Sequence, residues 1–170
     1  MTKTVIFLVV VLVAAVAATW RWRTLPSRQY GSIDAIVPAY NEEPCIEAAV
    51  EGLLRNRYVR RVIVVNDGST DGTGASLDLL AARHANLRVL HQRNTGKGGA
   101  LMAGLALVDA PYVFLTDADT LVPADGNGLG FLLAEMERGA DAAGGIPASN
   151  LKGAGFLPRS EEHTSELQSL

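Results

Sequence analysis

Two carboxylates two residues apart close a short apolar run in this chain. Residues 112–115 read Y-V-F-L, and residues 116–120 follow as T-D-A-D-T. On an extended chain, residues i and i+2 point the same way, so Asp117 and Asp119 share a face. Such a pair of hard oxygen ligands suits a divalent cation, Mg²⁺ or Mn²⁺, whose shell is completed by water and substrate phosphates. The ion would neutralise charge on a departing diphosphate. Alone the pattern is weak. With nine Asp in 170 residues, chance supplies roughly half an instance of D-x-D per chain. The plain alternative is an Asx turn made by Asp119.

Three further polar loops give the pair its context. Residues 66–73 read N-D-G-S-T-D-G-T. Gly68 supplies a positive φ there, and Ser69 or Thr70 can cap the following helix. Asp67, at a strand end, can accept from a base N–H or a ribose hydroxyl. Residues 94–99 read N-T-G-K-G-G and open a helix. Glycines let backbone approach a ligand, the helix N-terminus attracts anions, and Lys97 adds a point charge. The segment is a phosphate cradle in composition but not a P-loop, because His91 and Gly98 stand where that pattern requires Gly and Ser or Thr. The alternative is a glycine-rich loop with an exposed lysine. Residues 38–42, P-A-Y-N-E, begin with Pro38. Tyr40 can stack on a base, whereas Glu42 and Glu43 can equally complement a helix dipole. Cys45 has no histidine partner in any nucleophile motif, and no Cys/His spacing suits zinc.

The elements that must position these loops alternate. Residues 33–38, 61–66, 87–91 and 112–117 are short, β-rich apolar runs, and 141–146 is expected to be a fifth strand. Between them, 43–57, 70–85, 97–108 and 131–138 carry helical periodicity. Ile46, Ala49, Val50 and Leu53 mark one face of the first helix. Strands alternating with helices imply βαβ units and a mostly parallel sheet. In such sheets ligands bind outside the carboxyl ends of the strands, where the polar loops fall.

Hydrophobic content of 48% in 170 residues is enough for one domain with a core. The net charge of −3 offers no basic stripe for nucleic acid. One cysteine excludes an internal disulfide. Twelve Arg against three Lys, with abundant Ala, Gly and Val, suggest a GC-rich bacterial genome.

The two ends of the chain differ from its middle. Residues 4–20 hold 17 uncharged residues, which as a helix at ~1.5 Å per residue would span roughly 26 Å. With Arg21 and Arg23 able to snorkel and Trp20 and Trp22 suited to the interface, this is expected to be a transmembrane anchor. The basic residues after it place the following domain in the cytoplasm, at the inner membrane of a bacterium. A cleaved signal peptide is the rival, since Ala15-Val16-Ala17 resembles a cleavage site. The expected division is an anchor with basic flank at 1–24, a linker at 25–32 and a domain at 33–158. Residues 159–169 match the in-frame translation of a sequencing adapter, so 159–170 is expected to be non-native.

Together the four loops resemble family 2 glycosyltransferases of the GT-A fold. The matching text is V-P-A-Y-N-E, V-V-N-D-G-S-T-D-G-T, N-T-G-K-G-G-A-L-M-A-G-L and F-L-T-D-A-D-T, across roughly residues 33–150. The resemblance implies transfer of a sugar, with inversion, from a nucleotide diphosphate donor, usually a UDP-sugar, to a saccharide or lipid acceptor. It implies that Tyr40 and Glu42 line a base pocket with Pro38, that Asp67, in the turn with Gly68 and Ser69, bonds uracil, and that Lys97 lies near the base or diphosphate. Asp117 would contact ribose, donor sugar or metal, and Asp119 would ligate the metal. The wording is similar to that of membrane-bound synthases of poly-N-acetylglucosamine, hyaluronan or cellulose. The family's catalytic carboxylate, often within E-D, and the synthases' Q-x-x-R-W are not found here. The GT-A sheet is therefore expected to be incomplete at its C-terminal side, with donor and metal half present and the base beyond it. A non-catalytic, membrane-anchored nucleotide-binding module is the alternative. A dinucleotide oxidoreductase is disfavoured, since P-A-Y-N-E stands where G-x-G-x-x-G is needed.

Overall fold

The computed structural model describes residues 29–145. Four strands, β1 (Ile33–Ala39), β2 (Val59–Asp67), β3 (Leu87–Gln92) and β4 (Tyr112–Leu115), form one sheet in the order β3-β2-β1-β4. Every pairing is parallel. Four helices alternate with them: α1 (Ile46–Leu54), α2 (Thr73–Arg83), α3 (Gly96–Leu105) and α4 (Asn127–Glu137). The mostly parallel α/β arrangement expected from the strand–helix alternation is thus present.

Both faces of the central strands are buried, which explains their unbroken apolar runs. Ala35 and Val37 of β1, with Val62 and Val64 of β2, face Ile46, Val50, Leu53, Leu77 and Leu80 of α1 and α2 and Leu129 and Leu133 of α4. Their neighbours Ile36, Ile63 and Val65 face the opposite side, where Ala100 of α3 covers them. The helix lies close there. A Cβ added at Gly104 would meet Ile36 Cγ2 at 2.6 Å, so only glycine lets α3 approach the sheet at that point.

The strand order sets the site. From β1 the chain moves to β2 and β3 on one side, then crosses to β4 on the other. A crevice opens at such a switch point, outside the carboxyl ends of β1 and β4.

The opposite end of the sheet is closed by a charge cluster that motif reading did not reveal. Asp34 is fully buried, yet Arg60 Nε donates to its Oδ1 at 3.0 Å and Arg60 Nη2 to its Oδ2 at 2.8 Å. Arg61 Nη2 donates to the same Oδ2 at 2.9 Å and to Asp109 Oδ1 at 2.9 Å. The cluster ties the starts of β1 and β2 to the segment before β4.

Two expectations need adjustment. Residues 141–145 carry no strand, so the fifth strand expected at 141–146 is not present over those five residues. The expected 131–138 helix begins earlier, because Gly126 takes φ 76° and turns the chain into α4 at Asn127. The apolar segment at 4–20 and the tail at 159–170 lie outside the described residues. Among the described residues no helix is long and apolar enough to cross a membrane.

Burial opposes ionisation of Asp34, but Arg60 and Arg61 outweigh it and hold the carboxyl below its ordinary range. A carboxyl depressed in the folded state stabilises above the unfolded value of about 3.9 and loses that contribution as pH falls through its folded value. Asp34→Asn should therefore cost about 3 kcal/mol at neutral pH. It should also flatten the loss of stability below about pH 4. Urea titrations of both proteins across pH 2–7 check both expectations.

Candidate functional site

A cleft of about 330 Å³ lies at the carboxyl edge of the sheet, walled by the ends of β1, β2 and β4 and the start of α3. Pro38, Tyr40, Glu42, Asp67, Lys97, Asp117 and Asp119 all line it, with Ala39, Asn94, Gly96 and Ala100. Seven of the nine residues expected at a site are therefore brought to one cavity. Gly68 and Ser69 stand beside it and not in its wall. Gly68 has φ +75°, and a Cβ there would meet the Asn94 backbone nitrogen at 2.8 Å, so its role is a tight turn. The Ser69 hydroxyl accepts from the Asn41 backbone N–H at 3.0 Å and is spent on the neighbouring loop.

That bond belongs to an interlock between the loops after β1 and β2. Asn41 takes φ 57°, a left-handed conformation that asparagine tolerates. Its Oδ1 accepts from the Thr70 N–H at 2.8 Å. The Glu42 N–H donates to Thr73 Oγ1 at 2.8 Å. The Gly72 N–H donates to Glu43 Oε2 at 2.9 Å. Glu43 thus satisfies the first turn of α2, whereas its sequence position suggests service to the helix it precedes. The Ser69 N–H donates to Asn66 Oδ1 at 3.1 Å, which directs Asn66 Nδ2 at His91 Nδ1, 3.0 Å away. His91 therefore accepts at Nδ1 and carries its proton on Nε2, 3.0 Å from Asp78 Oδ1.

Asp67 is the buried charge of the cleft, 3% exposed. Its Oδ1 accepts from Gln92 Nε2 at 2.7 Å, the Thr95 N–H at 2.9 Å and Thr95 Oγ1 at 3.2 Å. Burial opposes its ionisation, but these donors, together with the Gly96 N–H, outweigh that cost and hold the carboxyl below its ordinary range. Gln92 and Thr95 were not singled out from sequence. The only available signal is their place at the end of β3 and just before the glycine-rich helix start.

The side of the cleft bearing Lys97, Asp117 and Asp119 is more open. Lys97 Nζ lies 2.6 Å from Asp117 Oδ1, with both side chains more than half exposed. β4 ends at Leu115, and residues 117–120 form a turn closed by the Thr120 N–H on the Asp117 carbonyl at 3.2 Å, so the extended geometry expected for D-x-D is replaced by a turn that buries Ala118 and leaves Asp117 and Asp119 exposed. Thr120 Oγ1 donates to Asp119 Oδ1 at 3.4 Å, a contact too long to occupy that carboxylate. Among the described residues no group of three or more His, Cys, Asp or Glu could hold a metal by itself. Two carboxylates nevertheless fit a Mg²⁺- or Mn²⁺-type ion that takes its remaining oxygens from a phosphate ligand and water. The wall holds four carboxylates and one ammonium. A diphosphate entering it needs a cation for company.

Cys45 borders this side. Burial pushes its thiol up to about 11, reinforced by its bond to Glu42 Oε2 at 3.1 Å and by the charges of Glu42 and Asp119. A thiol held protonated is no nucleophile at neutral pH.

The family model for Glycosyl transferase family 2 matches residues 34–169. YaiP of Escherichia coli K12, an uncharacterised glycosyltransferase, is 56% identical over 137 residues, covering 80% of this chain and 34% of YaiP. The poly-β-1,6-N-acetyl-D-glucosamine synthase of Staphylococcus aureus COL is 33% identical over 94 residues, covering 55% of this chain and 23% of the synthase. The mannosyltransferase PcManGT of Pyrobaculum calidifontis, solved with GDP-Man and Mn²⁺, superposes with a TM-score of 0.54 at 32% identity. That match covers 72% of this chain and 39% of PcManGT. The chain belongs to glycosyltransferase family 2. It spans about a third of the length of YaiP. The family match runs on through 159–169, the segment expected to be non-native.

Because the Cys45 thiol is raised to about 11, its alkylation by iodoacetamide should be slow at neutral pH and rise about tenfold per pH unit up to about pH 9.5. An ordinary thiol levels off near pH 8.5. A plateau below about pH 9 in the rate–pH profile would contradict the environment described here.

Proposed function

We propose that the full-length protein is a metal-dependent glycosyltransferase that takes a sugar from a nucleotide diphosphate donor. The reading we favour is a UDP-sugar such as UDP-N-acetylglucosamine, transferred with inversion to a saccharide or lipid acceptor in cell-surface polysaccharide synthesis. One observation carries it. Tyr40, Asp67, Lys97, Asp117 and Asp119, from four separate loops, line a single cleft at the switch point of a parallel sheet. The polymer reading takes its support from the synthase relative and the synthase-like wording of the motifs.

Each residue has a part that its place supports. Tyr40, half exposed beside Pro38, offers a ring face for a base. Asp67 accepts a hydrogen bond from the base. Lys97 and the start of α3 meet the diphosphate, since ammonium and helix N-terminus both favour anions. Asp117 and Asp119 would hold the divalent cation, which supplies charge neutralisation of the leaving nucleoside diphosphate. Removing Lys97 from Asp117 frees both groups for their ligands. The base that deprotonates the acceptor lies, in this proposal, outside the described cleft. The apolar segment at 4–20 would anchor the enzyme in the bacterial inner membrane, with this domain cytoplasmic.

Calorimetry on the full-length protein tests the proposal. UDP should bind with Mn²⁺ present. Asp119→Ala should weaken that binding about tenfold or more in Mn²⁺ and change it little in EDTA. Lys97→Ala should weaken UDP more than UMP, because the second phosphate loses its partner. Failure of wild-type protein to bind any nucleoside diphosphate, or unchanged binding in Asp119→Ala, would sink it.

A further inference from the structure

We propose that Gln92 and Thr95 are positioning residues that set the base preference of the cleft, by occupying one oxygen of Asp67 and leaving the other as a single acceptor. The proposal rests on the nucleotide-sugar reading above and goes beyond it. Gln92 Nε2 donates to Asp67 Oδ1 at 2.7 Å and to Thr95 Oγ1 at 2.7 Å. The Thr95 hydroxyl, having accepted from Gln92, donates in turn to Asp67 Oδ1 at 3.2 Å, beside its own N–H at 2.9 Å. The ring closes with every proton assigned. A flipped Gln92 would turn its carbonyl oxygen toward a carboxylate and leave two acceptors facing each other, so the amide orientation follows from the bonding.

A carboxylate oxygen has about two lone-pair sites, and Oδ1 already serves three protein donors. Oδ2 receives none of these three bonds and is the oxygen left to meet a ligand, while the Gly96 N–H adds to the donors that hold the carboxylate ionised. The consequence for base recognition is chemical. Guanine presents two adjacent donors, N1–H and the exocyclic N2–H₂, which a carboxylate meets best with both oxygens. Uracil presents one imide N–H between two carbonyl groups and needs one acceptor. A cleft whose buried Asp67 can offer only Oδ2 favours the imide, and leaves the second guanine donor without a partner. A site that strands a buried polar group discriminates strongly. PcManGT, a structural neighbour, was solved with GDP-Man, so the base used by this chain is not set by fold alone.

The test is the ratio of UDP to GDP affinity, measured by calorimetry on full-length protein with Mn²⁺ present. Wild type should prefer UDP by about tenfold or more, and N3-methyl-UDP should lose most of that advantage. Gln92→Met, near-isosteric but without donors, should lower the UDP:GDP ratio about tenfold, and Thr95→Val should move it the same way by less. A merely structural role would weaken both nucleotides equally and leave the ratio alone. A wild-type preference for GDP, or ratios in both variants within about twofold of wild type, would overturn the inference while the glycosyltransferase reading stands. Should Gln92→Met fail to show a thermal transition, Thr95→Val and N3-methyl-UDP decide. If wild type binds neither nucleotide, the functional reading and this inference fall together.

Discussion

The site depends on how one buried carboxylate is satisfied. Asp67 ends β2 almost fully out of solvent, and a charge there is tolerated only when donors surround it. Those donors come from the end of β3 and from the residue before α3. Satisfying the charge therefore fixes three elements at once: where β2 stops, where β3 stops, and where α3 begins. Lys97 and the glycine-rich first turn of α3 inherit their position from it. The Asp67 end and the Lys97 end of the cleft share a single anchor.

A comparison with Asp34 shows what the choice of partner does. Both carboxylates are buried, and both are held below the ordinary range. Asp34 is met by two guanidinium groups, so its charge is cancelled and the N-terminal end of the sheet is closed as structure. Asp67 is met by an amide, a hydroxyl and a backbone N–H, which stabilise the anion without neutralising it. The same residue type at opposite ends of adjacent strands thus gives a clamp in one place and a net negative site in the other. The difference was not visible in the motif text, because it depends on which residues the parallel register brings alongside.

What could be read from the chain follows the same line. The strand–helix alternation and the convergence of four loops were legible, since apolar runs and turn chemistry act locally. Asp117, Asp119 and Tyr40 were legible because their side chains have few uses just past a strand end, and Lys97 because it sits in a glycine-rich helix start. The loop interlock was not. Asn41, Ser69, Thr70 and Glu43 bond to partners 28 or 29 residues away, and each also reads as an ordinary turn or cap residue. Gly68 and Ser69 look like ligand contacts in sequence because they flank Asp67; in three dimensions they are the turn that presents it. The strand expected at 141–146 followed the strand–helix alternation, but Asp141–Gly145 are small or polar and gain no partner strand.

The two ends of the cleft differ in how firmly they are set. At one end, Asp67 is buried and its Oδ1 already takes three protein donors, so that geometry exists before any ligand arrives. At the other end, Lys97 and Asp117 are exposed, and an ion pair in that setting is worth about 0–1 kcal/mol. So weak a pair gives way readily, and under the proposed function the ammonium would turn to phosphate oxygens and the carboxylate to a cation. Asp117 and Asp119 against the single ammonium of Lys97 leave that end net negative, so an anion would settle there more readily with a cation beside it. A firmly set carboxylate and a weakly paired one thus share the cleft, and under the function proposed above the first would meet the base and the second the metal.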